Sequence, residues 1–407
     1  MAYIRRRGCK CPKDAKRCTC GAKWSFTVDI GVDPVTGKRK QYTKSGFDTR
    51  RDAELAAAKV ETEVASGTFV RETRATFEEY AQMWLKAYRA NGTKPSSIWQ
   101  REYQVGVLIN CFGKIRIADI STKKYRETIL DLSAKLSRNT MLGIHGVAKS
   151  IFRMALQDGD IKKDPTEFVK VPGAKKDDDE MEMPKYLEKE QLAEFLRLAK
   201  FRGLDNDYIM FLTLAYTGMR VGEACALKWS DIDFQGHTIT INGTLYNPND
   251  RSDWYQILPP KTKKARRTID VDPGLIKELE YHKAVQNEFK MRYRNIYHDA
   301  GFVFARMDNP INHEPRYGYP MIRRTVELRM NRILQWMDLP FRATPHTLRH
   351  THTSLLAEAG VSLEAIMERL GHKDDRLTRT VYLHVTKKLK KEASEKFSAL
   401  MSDVVKM

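Results

Sequence analysis

The chain has 407 residues, with 71 Lys or Arg against 52 Asp or Glu and a net charge of +19, and this length predicts roughly two to four domains in place of one core. The charge predicts a polyanionic partner, and nucleic acid fits better than a membrane surface, because the sequence has no run of about 18 apolar residues. The N-terminus also lacks the apolar core of a signal peptide, so we expect a cytoplasmic, nucleoid-associated protein.

Residues 1 to 70 are predicted to form a small basic DNA-binding domain. The first 50 residues hold thirteen Lys or Arg against four Asp. Strands are predicted at residues 24 to 30 and 38 to 44, followed by a helix at residues 50 to 65. A sheet backed by one helix can enter a DNA groove, and the candidate contacts are Lys38, Arg39 and Lys40. The alternative is a basic hairpin whose charges only face solvent.

Four of the six cysteines lie within twelve residues of this segment, at Cys9, Cys11, Cys18 and Cys20. A reducing compartment disfavours disulfides, so the group is either a structural zinc site or a set of thiols that bind no metal. The C-x-C spacing is tighter than the usual C-x₂-C of zinc sites. Both alternatives stay open from the sequence.

Residues 76 to 170 are predicted to form a helical domain. Apolar residues recur there at helical spacing, and the aromatic members are expected in its core. Lys94 and Arg101 are candidate contacts to a DNA backbone. Residues 171 to 186 are predicted to be a linker, because they combine a Pro-Gly pair, an acidic run and a further proline.

A third unit is predicted at residues 187 to 386, and its first notable segment surrounds Gly218. This glycine is expected to end a buried helix, so that Arg220 begins the next helix beside unsatisfied backbone N–H groups. Glu223 follows three residues later on the same helix face, where its carboxylate can hold the Arg220 guanidinium. An ordinary surface ion pair is the alternative for these two residues.

Two strands are predicted further along, at residues 237 to 242 and 261 to 269, with a long polar excursion at residues 243 to 260 between them. Lys261 is expected on or near the tip of this β element, where its ammonium could reach a leaving oxygen. Other basic residues crowd the same stretch and leave the identity of a proton donor open: Lys263, Lys264, Arg266 and Arg267.

Four side chains suited to phosphate chemistry concentrate near the C-terminal end, at His346, Arg349, His372 and Tyr382. Helical spacing places His346 and Arg349 on one face. A guanidinium matches phosphate oxygens, and an imidazole can donate to them. A tyrosine hydroxyl can then attack phosphorus once the charge on the phosphate is stabilised.

The local structure around these residues is predicted as follows. Residues 351 to 363 read as one amphipathic helix, a Gly-His turn follows, and Tyr382 is expected on a short segment after that turn. The neighbouring histidines His350, His352 and His384 are expected to be satisfied core or surface groups. His350 and His352, which follow His346 by four and six residues, do not converge with it as zinc ligands on one helix face would.

Five separated pieces of this chain resemble the signature of the tyrosine site-specific recombinases, in the required order: Thr217-Gly-x-Arg220-x-x-Glu223, Lys261-Thr262, His346-x-x-Arg349, Leu370-Gly-His372 and Tyr382. The similarity is greatest to integrases of temperate phages and integrative conjugative elements. It implies a multidomain fold, mainly α with small β-sheets. We expect an N-terminal three-stranded sheet plus helix that binds arm sites, a helical core-binding domain, and a mixed α/β catalytic domain.

The resemblance implies that Tyr382 attacks the scissile phosphate and forms a 3′-phosphotyrosyl bond, with no ATP and no catalytic metal. Arg220 and Arg349 would clamp the non-bridging oxygens. His346 would assist proton removal from the phenol and Lys261 would protonate the leaving 5′ oxygen. A further imidazole, that of His372, would bind the phosphate, and Glu223 would support Arg220.

The resemblance also implies partners. A homotetramer on double-stranded DNA would bind core and arm attachment sites and exchange strands through a Holliday junction, helped by an excisionase or host DNA-bending factors. Residues 387 to 407 read as an amphipathic helix that docks on a neighbouring protomer, with packing on its own domain as the alternative.

Two other functions compete with recombination. One is a DNA-binding protein without chemistry, which the complete set of catalytic side chains disfavours. The other is a monomeric nicking enzyme similar to type IB topoisomerases. The two additional DNA-binding units and the C-terminal helix disfavour this second alternative.

Overall fold

The computed structural model describes residues 2–6, 8–11, 20–32, 37–67, 69, 74–173, 185–248, 250–260, 265–308, 316–371 and 376–405. The chain divides into two compact units, Met1–Lys175 and Lys176–Met407. Cys18, Lys261 and His372 lie outside the described residues, as does most of the predicted linker.

The first unit begins with an antiparallel sheet in the order β1-β2-β3, followed by one helix. These elements are β1 (Tyr3–Arg6), β2 (Trp24–Val32), β3 (Arg39–Phe47) and α1 (Arg50–Ala65). The helix starts at residue 50 because the Thr49 side chain accepts a hydrogen bond from the backbone N–H of Asp52. A small hydrophobic cluster of Phe26, Val28 and Ala57 joins the sheet to the helix. The predicted sheet backed by one helix is confirmed.

In the described part of the chain, four α-helices follow in the first unit: α2 (Phe77–Ala90), α3 (Pro95–Phe112), α4 (Thr122–Ser133) and α5 (Arg138–Gln157). Their starts follow local sequence signals, since Thr76, Ser121 and Ser137 each accept a backbone hydrogen bond at the cap. The aromatic residues form the core, with the ring of Phe77 5.5 Å from that of Phe152. The prediction of an aromatic core is therefore confirmed.

The second unit is mostly helical. Its helices are α6 (Lys189–Arg202), α7 (Asp207–Thr217), α8 (Val221–Ala226), α9 (Pro273–Arg292), α10 (Arg323–Leu334), α11 (Pro345–Glu358), α12 (Leu363–Leu370) and α13 (Arg376–Val405). Helix α7 is buried on almost every side, which explains its continuous apolar run. None of the described helices has the length and apolar character that crossing a membrane would require.

Among the described residues of this unit, two small sheets accompany these helices. One has the order β4-β5-β8 and consists of β4 (Ile232–Asp233), β5 (Thr238–Ile241) and β8 (Arg267–Asp270). The other pairs β6 (Thr244–Tyr246) with β7 (Gln256–Leu258). The predicted polar excursion at residues 243 to 260 is therefore wrong in part, because it contains this hairpin. Strands of three residues are too short to show a clear alternation in the sequence.

Two predictions near the C-terminal end are also wrong. The expected single helix at residues 351 to 363 is divided, because Gly360 adopts a φ of +79° and Ser362 caps the start of α12. Tyr382 lies inside the long helix α13 and not on a short segment. This helix continues through the predicted tail because residues 376 to 405 contain no glycine or proline to end it.

Candidate active site

The turn between α7 and α8 places Arg220. Gly218 ends α7 with a φ of +62°, a conformation that favours glycine. A Cβ atom at Gly218 would lie 2.6 Å from Cδ2 of His352 and 2.7 Å from Cδ2 of Leu370. The tight turn brings Arg220 to the N-terminal cap of α8, as the sequence predicts.

Glu223 holds Arg220 in two ways. Its carboxylate accepts hydrogen bonds of 2.9 Å from the backbone N–H and from Nη1 of Arg220. It also accepts a bond of 3.1 Å from Nη2 of Arg267, and only 8% of Glu223 is exposed. Burial opposes ionisation of Glu223, but the Arg267 charge and the Arg220 contacts outweigh burial, so the pKa of the carboxyl lies below its ordinary value. The carboxylate is therefore charged at neutral pH.

Arg349 lies in α11 with only 2% of its surface exposed. Its Nη1 donates to the carbonyl oxygen of Gly218 at 2.5 Å, and its Nη2 donates to that of Leu370 at 2.7 Å. These bonds join α11 to the end of α7 and to the end of α12. They use two of the five N–H donors that a guanidinium has.

His346 lies one helical turn before Arg349 and is exposed. Its ring makes an edge contact with the ring of His350, with centroids 4.7 Å apart. The start of α11 is fixed by reciprocal hydrogen bonds between Thr344 and Thr347. His346 is therefore an accessible imidazole on the first turn of a well-capped helix.

His352 is buried and neutral. Nδ1 of His352 lies 2.8 Å from the carbonyl oxygen of Ala215, and because a carbonyl oxygen can only accept, Nδ1 is the donor. Nε2 of His352 accepts a hydrogen bond of 3.1 Å from Nε of Arg369. Burial, with help from the Arg369 charge, lowers the pKa of His352 to about 3. The prediction that His352 is a satisfied core or surface group is confirmed, and the structure places it in the core.

Tyr382 is half-buried in α13. It packs against a hydrophobic cluster formed by Ala357, Ile366, Leu370, Val381 and Val385. Leu370 links this cluster to Arg349, because its carbonyl oxygen accepts the Nη2 bond and its side chain belongs to the cluster. The cluster that contacts Tyr382 thus includes the residue at the end of α12 to which Arg349 donates.

Two arginines support this region, and the sequence indicates a positioning role for neither of them. The sequence offers Arg267 only as one of several possible proton donors. In the structure, Nε of Arg267 donates a hydrogen bond of 2.7 Å to the carbonyl oxygen of Arg369, and Nη2 of Arg267 donates one to the carboxylate of Glu223. Arg369 in turn holds His352. In contrast, the neighbouring Arg266 is exposed. Arg267 is therefore a positioning residue that connects β8, α8 and α12.

The predicted DNA contacts lie in the first unit. Lys38, Arg39 and Lys40 are exposed at the start of β3. Lys94 immediately precedes α3 and is half-buried, like Arg101 within that helix. Arg101 makes a hydrogen bond within α3, and its guanidinium lies 6.0 Å from the centroid of a tyrosine ring.

Three of the four predicted metal ligands are described, and they lie together. The sulfur atoms of Cys9, Cys11 and Cys20 are all within 4.8 Å of one another. The sulfurs of Cys9 and Cys20 are 3.5 Å apart. This arrangement could hold one metal ion.

Comparison with known families gives three matches along the chain. The model described as phage integrase family matches residues 185–388. The model of the arm DNA-binding domain matches residues 4–64, and that of the phage integrase N-terminal SAM-like domain matches residues 76–133. The three matched domains occur in the same order as the three units that the sequence analysis predicts.

Whole-chain relatives include two integrases. The chain is 28% identical to the integrase of Staphylococcus phage L54a over 346 residues, which cover 80% of this chain and 93% of that protein. It is 26% identical to the ICEBs1 integrase of Bacillus subtilis (strain 168), with coverage of 93% and 98%. Both similarities extend over nearly the full length of the relatives.

Solved structures show the same fold. The Tn1549 transposon integrase in complex with transposon right end DNA superposes with a TM-score of 0.61 at 23% identity, covering 80% of this chain and 100% of that chain. The lambda integrase tetramer bound to a Holliday junction superposes with a TM-score of 0.53 at 18% identity, covering 93% and 94%. The predicted fold class, mainly helical with small sheets, is confirmed.

Proposed function

Because this chain belongs to the phage integrase family of tyrosine recombinases, enzymes that cleave and rejoin DNA at specific sites, we propose that Tyr382 is its nucleophile. The phenolic oxygen attacks a DNA phosphorus, the bond to the 5′ oxygen breaks, and a 3′-phosphotyrosyl bond forms. The released 5′-hydroxyl of another strand reverses the reaction. The enzyme conserves the energy of the phosphodiester, so this chemistry needs no ATP and no catalytic cofactor.

The contacts of Arg349 are the observation that carries this assignment. Its guanidinium bonds to Gly218, two residues before Arg220, and to Leu370, whose side chain packs in the cluster that also contacts Tyr382. Arg349 therefore contacts both the turn that precedes Arg220 and the end of α12, and Leu370 at that end belongs to the cluster against which Tyr382 packs. These contacts support a common role for Arg220, Arg349 and Tyr382.

The negative charge that develops on the phosphate during the reaction explains why we assign two arginines to the site. A phenol with a pKa near 10 is a weak nucleophile at neutral pH. Negative charge grows on the phosphate oxygens as Tyr382 attacks, and each well-placed donor such as Arg220 or Arg349 accelerates the step by about 10² to 10³. Glu223 and the two carbonyl oxygens fix these guanidinium groups before DNA binds, which reduces reorganisation.

The remaining roles follow the family motif residue by residue. His346 accepts or relays the phenolic proton, and its exposure on the first turn of α11 supports access to bound DNA. Lys261 protonates the leaving 5′ oxygen, and His372 donates to the phosphate. These last two residues are assigned from the sequence motif alone, because both lie outside the described residues.

Different segments of the chain bind different parts of the DNA. In our proposal residues 1–70 bind arm sites, residues 76–170 bind core sites, residues 171–186 link them to the catalytic residues 187–386, and residues 387–407 dock on a neighbouring protomer. The exposed Lys38, Arg39 and Lys40 would contact the arm-site backbone. Lys94 and Arg101 would contact the core site.

The assembly follows from the same proposal. Four protomers act on two duplexes, exchanging strands through a Holliday junction to integrate and excise a mobile element. An excisionase or host DNA-bending factors set the direction. The bacterial cytoplasm, at the nucleoid, is the proposed place of action because the host chromosome is there.

A nicked suicide substrate tests the chemistry. Cleavage next to the nick releases a short fragment, so the wild-type protein should accumulate a DNA adduct that resists SDS. Tyr382→Phe should bind the DNA with unchanged affinity and form no adduct. Tyr186→Phe is the matched control, because Tyr186 packs against the same cluster and is expected to retain adduct formation.

The outcomes separate the competing functions. An adduct that persists in Tyr382→Phe would show that another residue is the nucleophile. DNA binding without any adduct in the wild type would favour a protein without chemistry. Adduct formation and plasmid relaxation without recombination between two sites would favour a monomeric nicking enzyme.

A further inference from the structure

The cysteine cluster has the geometry of a metal site. The sulfurs of Cys9 and Cys20 are 3.5 Å apart, well beyond the S–S bond length of about 2.05 Å, so these two sulfurs are not bonded to each other. Tetrahedral zinc with Zn–S bonds of about 2.3 Å separates its sulfurs by about 3.8 Å. All three described sulfurs, including that of Cys11, lie within 4.8 Å of one another. The spacing therefore suits a shared tetrahedral ion.

The three described cysteines flank the segment that connects β1 to β2, two on the side of β1 and one on the side of β2. Strands β1 and β2 pair antiparallel, and Arg6 with Trp24 is the last pair before the loop. Cys9 and Cys11 follow β1 within five residues, and Cys20 precedes β2 by four. Ligands that converge from both arms of a loop are typical of structural zinc sites.

The composition of the loop suits a thiolate cluster. Residues 7 to 23 contain six Lys or Arg and one Asp. A zinc ion with four thiolates carries a net charge of −2, which nearby cations stabilise.

The hydrophobic core of this region is small. The hydrophobic cluster between the sheet and α1 has only three buried members among the described residues, Phe26, Val28 and Ala57. Small domains with so little apolar burial commonly require a disulfide or a metal for stability. A bound ion would supply that stability, since its binding free energy is coupled to folding.

We propose that this loop binds one structural Zn²⁺ through the thiolates of Cys9, Cys11, Cys18 and Cys20. Three ligands are assigned from geometry, and Cys18 is assigned by its spacing of two residues from Cys20. Each thiol releases its proton on binding, and no redox change occurs. The ion fixes the loop end of the hairpin formed by β1 and β2. This inference does not depend on the recombinase chemistry.

Metal analysis of the full chain, purified under reducing conditions with zinc supplied, tests the proposal. We expect about one equivalent of zinc per chain in the wild type. Cys9→Ser and Cys20→Ser should each lower zinc content severalfold and lower the melting temperature of the first unit. Cys111→Ser is the matched control, because Cys111 is a half-buried thiol in α3, and it should retain the metal.

Cobalt substitution gives a second measurement that does not depend on stability. Co²⁺ bound by thiolates in a tetrahedral site should give intense sulfur-to-metal charge transfer and strong visible bands, and Cys18→Ser should weaken or shift them. Zinc below about half an equivalent in the wild type would overturn the proposal. A thiol count showing a disulfide in the cluster would overturn it as well, as would unchanged zinc content in Cys9→Ser.

Discussion

The guanidinium of Arg349 donates a 2.5 Å hydrogen bond to the carbonyl oxygen of Gly218. This bond connects α11 to the turn from which Arg220 begins α8. The two proposed phosphate-binding arginines are therefore held by one backbone turn, although the bonded residues are 131 positions apart in the sequence. A change in the turn should disturb both arginines together.

Gly218→Ala tests this coupling. An alanine at this position must adopt a φ of +62°, and its Cβ atom would lie less than 3 Å from atoms of both His352 and Leu370. We expect a loss of about 3 kcal/mol in the free energy of unfolding of the second unit, from strain plus overpacking. Calorimetry of the full chain measures this loss, and adduct formation on a suicide substrate should fall in parallel.

Gly360→Ala is the matched control for this substitution. Gly360 has a φ of +79°, but no atom lies within 4 Å of the added Cβ. We expect it to cost only about 1 kcal/mol, from the backbone conformation alone. Equal losses in the two variants would mean that the contacts around Gly218 are unimportant.

Glu223→Gln tests the carboxylate between Arg220 and Arg267. The amide keeps the shape of the side chain but leaves the guanidinium of Arg267, a residue whose side chain is only 7% exposed, without a countercharge from residue 223. Breaking a buried pair from one side costs about 3 to 5 kcal/mol. Because Arg220 is then less well positioned, we also expect cleavage to slow by at least about tenfold.

Glu194→Gln provides the comparison for Glu223→Gln, since Glu194 pairs with Arg197 at the surface. An exposed pair is worth about 0 to 1 kcal/mol, so this variant should be nearly as stable as the wild type and fully active. Stability and cleavage are measured by thermal melting and by the rate of adduct formation. A Glu223→Gln protein as stable as Glu194→Gln would contradict the buried role of this carboxylate.

His352 should make the second unit sensitive to acid. Its pKa is lowered to about 3 in the folded chain by burial and by Arg369, against about 6.5 when unfolded. The unfolded chain therefore takes up a proton first, and stability is lost as pH falls from about 6.5 towards about 3, by up to about 1.4 kcal/mol per pH unit. Above about pH 6.5 the neutral imidazole contributes no pH dependence.

Melting curves recorded from pH 7 to pH 4.5 check this dependence. His352→Asn should have a shallower loss of stability with falling pH than the wild type, whatever its absolute stability. His384→Asn, which changes an exposed histidine of α13, should keep the wild-type slope. Identical slopes in all three proteins would exclude His352 as the sensitive group.

The tail is expected to act between protomers. Phe397 is 63% exposed and Met401 is 37% exposed, one helical turn further along α13. Removing residues 388 to 407 should leave adduct formation by Tyr382 on an isolated half-site but abolish cooperative synapsis of two full sites. Phe397→Ser should weaken synapsis by about tenfold, as loss of one buried aromatic contact would.

Gel-shift and crosslinking assays with full sites measure synapsis. Ser398→Ala changes the adjacent exposed residue and should bind as the wild type does. Unchanged synapsis by the truncated protein would rule out docking of the tail in trans.

Local signals in the sequence are sufficient to predict much of the fold. The start of α1 at Arg50 follows from the Thr49 cap, and the approach of Glu223 to Arg220 follows from a spacing of three residues on a helix. Such features depend on neighbours in the chain. Their physical cause is therefore present in a short window of sequence.

Contacts between distant segments could not be predicted in this way. Arg267 reaches Glu223 across 44 positions, and Arg369 reaches His352 from another helix. No periodicity marks these residues, because an arginine used for positioning looks like any other basic residue near a DNA-binding surface. The hairpin of β6 and β7 and the length of α13 were missed for related reasons, since one is too short and the other lacks an ending signal.

Helix α13 carries a mechanical consequence. Tyr382 and Phe397 lie on one uninterrupted helix, about 22 Å apart along its axis at 1.5 Å per residue. A helix of this length resists bending, so a force or tilt applied at its far end is transmitted to the phenol as a change of angle. If a neighbouring subunit binds this end of the helix, as we propose, it would control the orientation of the proposed nucleophile, and the timing of each strand cleavage would then depend on the assembly.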